Sequence, residues 1–513
     1  MSSKIPLFLA TILIVITIFT RFFNLNWGGG YYFHPDENNM ALSIEQMSPT
    51  HLDPDFFAYG QFPLFLTFFT TPKQQFSSII LTLRFWSATF SSLSVFFFYL
   101  IIKQFIKSPK VIFFSVLLFI FTPGLIQAAH FGTTESILIL VFLINIYFSL
   151  IFLKQSKPIY IVLSSLISGI GLATKISSLI LVSPILLSLF FSFLKDKKIF
   201  KFIFSLFLFL SLTFLIGYIF SPYSLLNFSE FKSSMIYEIG VANGSIPVFY
   251  TRQFLNTIPY LFQFKNIFPY TNGLPILLFS FFGLISLFRL NTKYLLLNIK
   301  KILIVLLPSL FFFLYQGQLF VKWTRFMAPI FFIFPFLTTF LINKIKKNIL
   351  IIPITIICII SGIIFFQRYF ISDIRVQASE WIDQNISNKS KVLSESGNVI
   401  NLPFGQNNLE VNNFDFYQLD ENLENQNKLK SLIKTSDYIF IPSRRVFKNQ
   451  SNPQFPISQQ YYQDLFSNNL NFSLIKTFSF NNSFLLNSED AEETWSVFDN
   501  PTIRIFKKIN YEK

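Results

Sequence analysis

The sequence predicts a polytopic α-helical membrane protein of about eleven transmembrane helices, followed by a small C-terminal α/β domain on the non-cytoplasmic side. Three observations support this fold class. The chain of 513 residues is 52% hydrophobic and only 13% charged, whereas soluble domains carry about twice that charged fraction. Apolar runs of membrane-spanning length recur along it, and the loops between them alternate in charge.

The apolar runs define the predicted spans, because a helix needs about twenty apolar residues to cross a bilayer. The fifth and ninth runs are short. The approximate spans are 5–23, 77–101, 111–129, 136–153, 159–174, 177–194, 202–220, 273–288, 302–317, 326–343 and 349–367. We therefore expect residues 1–370 to form a membrane domain with two long outer loops, 24–76 and 221–272.

The remaining residues, 371–513, are polar and rich in Asn, which predicts a soluble domain. Val376–Ile386 has helical spacing of its apolar residues, whereas Asp437–Ile441 and Ile503–Phe506 resemble strands. Within the first outer loop, the run Phe62–Thr70 is too short to span a membrane and predicts a helix lying at the interface.

The loop charges predict the orientation. One set of loops holds 17 basic residues against a single acid, Asp196. These basic residues are Lys4, Lys103, Lys107, Lys110, Lys154, Lys157, Lys195, Lys197, Lys198, Lys201, Arg289, Lys293, Lys300, Lys301, Lys344, Lys346 and Lys347. The positive-inside rule places this set and the N-terminus in the cytoplasm, and the C-terminal domain outside.

Composition and motifs also exclude several classes of protein. The net charge of +15 lies mostly in the cytoplasmic loops, which argues against a nucleic-acid partner. The single cysteine, Cys358, permits no intramolecular disulfide. The sequence has no P-loop or Rossmann glycine motif, so nothing marks a soluble nucleotide site. The first apolar segment lacks a cleavage site and is expected to remain as a helix.

Candidate acids cluster in the outer loops. Asp36 and Glu37 are adjacent, and each carboxylate raises the proton affinity of the other. One of the two can therefore act as a general base. A solvated loop pair is the alternative interpretation. Glu135 begins the fourth span, where it could stabilise the helix N-terminus or share a cavity with Asp36. His34 and His130 could join these three acids around a divalent metal, although no close ligand spacing supports such a site.

Four basic residues near the outer ends of spans run against the charge trend. Lys175, Lys322 and Arg325 lie in outer connections or at their edge, and Arg84 lies in the second span. The simpler interpretation of Lys175 is that its side chain extends to the membrane–water interface. An anionic partner such as phosphate is the alternative, because Arg holds phosphate through two hydrogen bonds.

In their order along the chain, these motifs resemble the GT-C superfamily of membrane glycosyltransferases. The nearest branch is that of bacterial relatives of dolichyl-phosphate-mannose protein mannosyltransferases and of lipid A aminoarabinose transferases. The resemblance covers most of residues 1–370. Its motifs are His34-Pro-Asp36-Glu37, Arg84, Glu135, Gly171-Leu-Ala-Thr-Lys175, Ser221-Pro222-Tyr223 and Lys322-Trp-Thr-Arg325-Phe-Met-Ala-Pro329.

The resemblance implies an inverting transferase that moves a mannose-like hexose or a pentose from a polyprenyl phosphate to an acceptor hydroxyl. It implies catalytic roles for Asp36, Glu37 and Glu135. The donor phosphate would be bound by Lys175, Arg325, Lys322 and Arg84, and the cavity would be lined by His34, His130 and Tyr223. The acceptor is left open among glycan, lipid and protein, and the expected location is a bacterial plasma membrane.

Three other functions remain open at this point. A transporter or channel would carry charges near the bilayer midplane, whereas these spans are almost free of charge at mid-depth. A flippase or polymerase of lipid-linked glycans would act on the same class of substrate. A non-catalytic anchor for the C-terminal domain would tolerate substitution of Asp36.

Overall fold

In the computed structural model, which describes residues 5–288, 292–345, 348–405, 408–450 and 452–509, the apolar runs form helices. In lipid the backbone must satisfy its own hydrogen bonds, and a helix does so within one segment. Within these ranges seven helices are long and apolar enough to cross a membrane. They are Phe76–Ile102, Glu135–Gln155, Ile176–Asp196, Ile199–Phe220, Pro269–Phe288, Asn298–Gly317 and Ile349–Phe370.

Two bent helix pairs raise the number of candidate spans in the described ranges to nine. Pro109–Ile120 meets Pro123–His130 at 54°, and Thr324–Ile330 meets Ile333–Lys344 at 42°. The two shorter apolar helices, Leu7–Phe22 and Ile159–Leu172, coincide with the first and fifth predicted spans. Every predicted span thus has a helical counterpart, and the predicted multi-spanning fold class is confirmed. The ninth is longer than expected, because its helix begins at Thr292.

Burial separates central helices from peripheral ones. In the most apolar stretch of the helix Glu135–Gln155, 78% is buried inside the protein. In the corresponding stretch of Ile199–Phe220, only 11% is buried. The first therefore forms the centre of the bundle, and the second presents most of its surface outward. The basic residues Lys4, Arg289, Lys346 and Lys347 lie outside the described residues, and the alternation of loop charge stays a prediction.

The loop after the first helix folds over the end of the bundle. Its helices Pro35–Gln46 and Phe62–Thr70 pack on Phe76–Ile102 through a shared apolar cluster that includes Met40 and Leu64. The helix predicted at Phe62–Thr70 is thus present. The second long loop holds the helices Tyr223–Leu226, Phe228–Asn243, Phe249–Phe254 and Leu261–Asn266.

The C-terminal domain, residues 371–509, contains a five-stranded mixed sheet in the order β2-β1-β3-β5-β4. The strands are β1 Lys391–Glu395, β2 Glu410–Phe414, β3 Tyr438–Ile441, β4 Phe472–Phe478 and β5 Ile503–Lys508. β1 pairs in parallel with β2 and β3, and β5 pairs antiparallel with β3 and β4. Its longer helices are Ile374–Asn385, Leu423–Thr435 and Pro456–Phe466. The predicted helix and both predicted strands are present.

Buried ion pairs fasten this domain to the last span. The Asp373 carboxylate accepts hydrogen bonds from Arg368 Nη2 at 2.5 Å and from Arg375 Nε at 2.8 Å. Arg368 Nε also donates to the carbonyl of Asp499 at 2.5 Å. Burial alone would raise the pKa of Asp373, but Arg375 and Arg368 together lower it. The junction therefore depends on one buried carboxylate between two guanidinium groups.

We expect Asp373→Asn to lower the free energy of unfolding by about 3–5 kcal/mol, because two buried guanidinium groups lose their counter-charge. Thermal or denaturant unfolding of the purified protein in detergent measures this loss. Asp383→Asn, an exposed position on the same helix, is the matched control. Equal stability of the two variants would contradict the structural role given to Asp373.

Candidate functional site

A cavity of about 980 Å³ lies where the membrane helices, the two long loops and the C-terminal domain meet. Six charged residues line it, three acidic and three basic: Asp36, Glu238, Glu493, Lys175, Arg325 and Arg445. Apolar side chains of the membrane helices form much of the remaining wall, among them Leu172, Leu179, Phe214, Tyr218 and Phe312. A pocket with an apolar wall and a few convergent charges can bind an amphipathic ligand.

Asp36 reaches the cavity from the first turn of Pro35–Gln46. His34 caps this helix, since its Nδ1 accepts a hydrogen bond from the Asp36 backbone N–H at 3.2 Å, and Pro35 occupies the first turn. The Arg325 guanidinium donates to the Asp36 carboxylate, and each side chain is 18% exposed. A carboxylate and a cation from distant parts of the sequence thus meet at the cavity.

Lys175 lies in the connection between two apolar helices. Its Nζ is 5.2 Å from the ring centroid of Tyr59 and 5.1 Å from that of Phe326. Burial lowers the pKa of Lys175, and the nearby charges of Glu135 and Glu238 oppose that shift. An ammonium group held between two rings at a cavity wall is well placed to bind an anion.

A close backbone contact holds Tyr59 beside Lys175. The Gly60 N–H donates to the Thr174 carbonyl at 2.9 Å, and the Phe62 N–H donates to the Ala173 carbonyl at 2.9 Å. A Cβ at position 60 would lie 2.1 Å from the Ala173 oxygen. Only glycine permits this approach, so Gly60 sets the distance between the first loop and the Lys175 connection.

Glu37 and Arg84 form a separate, fully buried pair. Arg84 Nη2 donates to Glu37 Oε2 at 2.7 Å, and the Gly132 N–H donates to Glu37 Oε1 at 2.6 Å. The Arg84 guanidinium also lies 4.5 Å from the Trp27 ring centroid and donates to the Leu25 carbonyl. Neither side chain lines the cavity. This arrangement does not support phosphate binding by Arg84 or proton transfer by Glu37.

Three further predicted residues lie near the cavity without lining it. Glu135 accepts a hydrogen bond from the Thr133 hydroxyl, and Lys322 Nζ donates to the Phe320 carbonyl at 2.9 Å. Burial lowers the pKa of Lys322 to about 8. The Tyr223 backbone N–H donates to Gln61 Oε1 at 3.0 Å. These contacts give the three residues local structural roles.

The histidines are engaged with protein groups. His34 packs edge-on against Phe131 and Phe498, and burial together with the charges of Arg325 and Arg84 holds its pKa well below its usual range. The ring nitrogens of His130 lie 2.8 Å and 3.0 Å from backbone carbonyls.

Among the described residues, no group of three or more His, Cys, Asp or Glu side chains is arranged to hold a metal. The five residues considered for a divalent metal therefore do not form such a group. These residues, His34, Asp36, Glu37, His130 and Glu135, are instead divided among separate contacts.

Three charged lining residues were missed by the sequence analysis. Glu238, on the helix Phe228–Asn243, has its pKa raised by burial, which Lys175 partly offsets. Arg445 Nε lies 3.5 Å from Glu493 Oε2, and both residues belong to the C-terminal domain. Glu238 could have been suspected as an acid in an outer loop. Nothing in the polar tail distinguished Arg445 or Glu493.

Comparisons with known proteins agree with this architecture. Residues 63–220 match the dolichyl-phosphate-mannose-protein mannosyltransferase family. The oligosaccharyltransferase of Archaeoglobus fulgidus, solved with a tethered acceptor peptide, is similar in structure, with a TM-score of 0.54 and 13% sequence identity. The match covers 88% of this chain and 72% of that chain. The oligosaccharyltransferase AglB from Archaeoglobus fulgidus, solved with an inhibitory peptide and a dolichol-phosphate, is 11% identical with a TM-score of 0.54. The match covers 89% of this chain and 72% of that chain.

ArnT from Cupriavidus metallidurans, bound to undecaprenyl phosphate, is 10% identical with a TM-score of 0.48, covering 97% of each chain. No curated protein matches the chain by sequence. The predicted resemblance is confirmed, since part of the chain matches the mannosyltransferase family and its fold is shared with the archaeal oligosaccharyltransferase.

We expect Arg84→Met to lower the free energy of unfolding by about 3–5 kcal/mol, because Glu37 would keep its charge in a buried site. Thermal unfolding of the purified protein measures the effect, with the exposed Lys73→Met as control. If Arg84→Met unfolds at the same temperature as wild type but binds a lipid phosphate more weakly, the phosphate-binding role predicted for Arg84 from the sequence would be supported.

Proposed function

We propose that the protein is an inverting glycosyltransferase that moves a sugar from a polyprenyl phosphate to an acceptor hydroxyl. One observation carries the proposal: the carboxylate of Asp36 and the cations Arg325 and Lys175 line one cavity whose remaining wall includes apolar membrane helices. A general base, an anion site and a surface for a lipid chain are the three elements that this reaction needs.

Lys175 and Arg325 are assigned to the lipid phosphate. Fixed cations stabilise the negative charge that develops on a departing phosphate, and they act more strongly where water is excluded. The apolar side chains of Leu172, Phe214 and Tyr218 would accommodate the first part of the polyprenyl chain. The matched family, named for a dolichyl-phosphate-linked donor, supports this class of substrate.

Asp36 is assigned as the general base. In the structure its carboxylate is paired with Arg325. An incoming phosphate competes for that guanidinium and leaves Asp36 available to the acceptor. Asp36 then takes the hydroxyl proton as the acceptor oxygen attacks the anomeric carbon. The bond between that carbon and the phosphate oxygen breaks, and a single displacement inverts the anomeric centre.

The other predicted site residues support this arrangement. The Glu37–Arg84 pair orients the helix that carries Asp36, and His34 caps it. Glu135 and Glu238 contribute negative charge near Lys175, which favours its protonated form. His130 and Tyr223 hold neighbouring segments in place through backbone contacts.

The orientation follows from the loop charges. Of the acids in loops 24–76 and 221–272, Asp36 and Glu238 line the cavity, together with Glu493 of the C-terminal domain. With the positive-inside rule, we propose that the reaction takes place at the outer face of the membrane, with the N-terminus in the cytoplasm. A bacterial plasma membrane is the proposed location. No nucleotide is required there, since the sugar arrives already activated on its lipid.

Asp36→Asn should reduce sugar transfer by about 10²–10⁴-fold, the usual contribution of a positioned general base. Transfer is measured in reconstituted membranes with radiolabelled polyprenyl-phosphate mannose, glucose or arabinose and a membrane extract as acceptor. Asp55→Asn, an exposed carboxylate of the same loop, should transfer like wild type. Equal transfer by both variants would remove Asp36 from the mechanism.

Lys175→Met should weaken binding of undecaprenyl phosphate by about tenfold or more, because a hydrogen bond to a charged group contributes about 1.5–3 kcal/mol. Lys322→Met should change binding by less than about twofold, since the Lys322 side chain does not line the cavity. Titration of the lipid into purified protein measures both. The reverse order of effects would move the phosphate site to Lys322.

A further inference from the structure

The C-terminal domain holds a loop of the membrane domain at the edge where its parallel strands end. Gln253 N–H donates to Asn449 Oδ1 at 2.6 Å, and Arg252 Nη1 donates to the Tyr417 carbonyl at 2.9 Å. The rings of Phe249 and Tyr417 lie 4.7 Å apart. Ligands of open α/β sheets usually occupy this edge. Here the edge binds the helix Phe249–Phe254, whose Tyr250 lines the cavity.

The same docking brings Arg445 and Glu493 to the cavity wall. Their side chains are 11% and 3% exposed, and Nε and Oε2 lie 3.5 Å apart. Within the described part of the chain, Arg445 Nε, Glu493 Oε2 and Arg325 Nε are buried without a hydrogen-bond partner. Buried polar atoms are nearly always hydrogen-bonded. Arg445 Nε and Glu493 Oε2 form an ion pair with each other that is longer than a usual hydrogen bond, and Arg325 Nε has no hydrogen-bond partner among the described residues. A ligand hydroxyl at this wall would complete the bonding of all three atoms.

Aromatic rings accompany the two charged groups. The rings of Tyr250 and Trp323 stack at 6.1 Å, and both residues line the cavity. The Arg445 guanidinium lies 5.9 Å from the Tyr250 ring centroid. A sugar ring presents C–H groups on its faces and hydroxyls at its edge. Aromatic rings can pack against the C–H groups, and planar carboxylate and guanidinium groups can form hydrogen bonds with the hydroxyls.

Charge and position separate this wall from the proposed phosphate site. Lys175 belongs to the membrane helices, next to the apolar wall. Arg445 and Glu493 belong to the C-terminal domain, and their opposite charges do not favour an anionic ligand. Arg325 lies between the two regions, since it pairs with Asp36 and also experiences the charges of Glu493 and Arg445.

We infer that Arg445, Glu493, Tyr250 and Trp323 form an acceptor subsite that selects a carbohydrate hydroxyl. This inference rests on the proposed function, since it names the acceptor class of the same cavity. The neutral ion pair would bind the hydroxyls of the acceptor sugar, and the two rings would support its face. The acceptor bound there would share the cavity that Asp36 lines. The C-terminal domain thereby determines which molecule receives the sugar.

The test measures acceptor binding without a donor. Full-length protein in nanodiscs is titrated with methyl α-mannoside and with a neutral peptide containing Ser and Thr, by saturation-transfer NMR. Undecaprenyl phosphate is titrated separately. Glu493→Gln and Arg445→Gln are compared with Glu424→Gln and Lys428→Gln, two exposed positions of the same domain. Melting temperatures identify misfolded variants, and Tyr250→Leu tests the subsite without altering the ion pair.

We expect wild type and both controls to bind methyl α-mannoside, and all three subsite variants to bind it about tenfold more weakly. Binding of undecaprenyl phosphate should stay within about twofold of wild type. If undecaprenyl phosphate does not bind wild type while these effects on mannoside persist, the subsite stands and the proposed donor is wrong.

Three results would overturn the inference. One is binding of the peptide but not of the mannoside, which would indicate a protein acceptor. Another is mannoside binding that the subsite substitutions leave unchanged. The third is a parallel loss of undecaprenyl phosphate binding in Arg445→Gln, which would place this wall on the donor side.

Discussion

Two buried side chains, Glu37 and Arg84, hold the helix Pro35–Gln46 against the span Phe76–Ile102, and the cavity depends on this contact. Successive residues of an α-helix point about 100° apart. Once Glu37 is fixed toward Arg84 and the Gly132 N–H, its neighbour Asp36 must face elsewhere, and it faces Arg325 at the cavity. The adjacent acids therefore have different surroundings, because Glu37 is ion-paired in the core and Asp36 is partly exposed at the cavity.

The same contact connects several distant segments. Arg84 also donates to the Leu25 carbonyl and faces Trp27, whose indole N–H donates to the His130 carbonyl. A buried pair of this kind adds little net stability over an apolar core, but removal of one partner is costly. The pair fixes the position of the helix that carries Asp36.

The C-terminal domain closes the cavity from the other side. Asp373 lies between Arg368 and Arg375 and fixes the start of the domain to the last span. Near the end of the domain, Thr494 and Asp499 accept hydrogen bonds from Gln127. Between these two attachments the segment that carries Glu492 and Glu493 reaches the late bent helix, where the Thr324 N–H donates to Glu492. The domain is thus a wall of the site and is not merely carried by the membrane helices.

The sequence by itself determined the spans, the helix Phe62–Thr70 and the placement of Lys175 and Arg325 against the charge trend, because lipid forces apolar runs into helices and makes misplaced charges conspicuous. Only the tertiary structure separated Asp36 from Glu37, removed Arg84 and Lys322 from the cavity, and added Arg445 and Glu493. A side chain's partner depends on which distant segments pack beside it. Neither apolar periodicity nor loop charge carries that information.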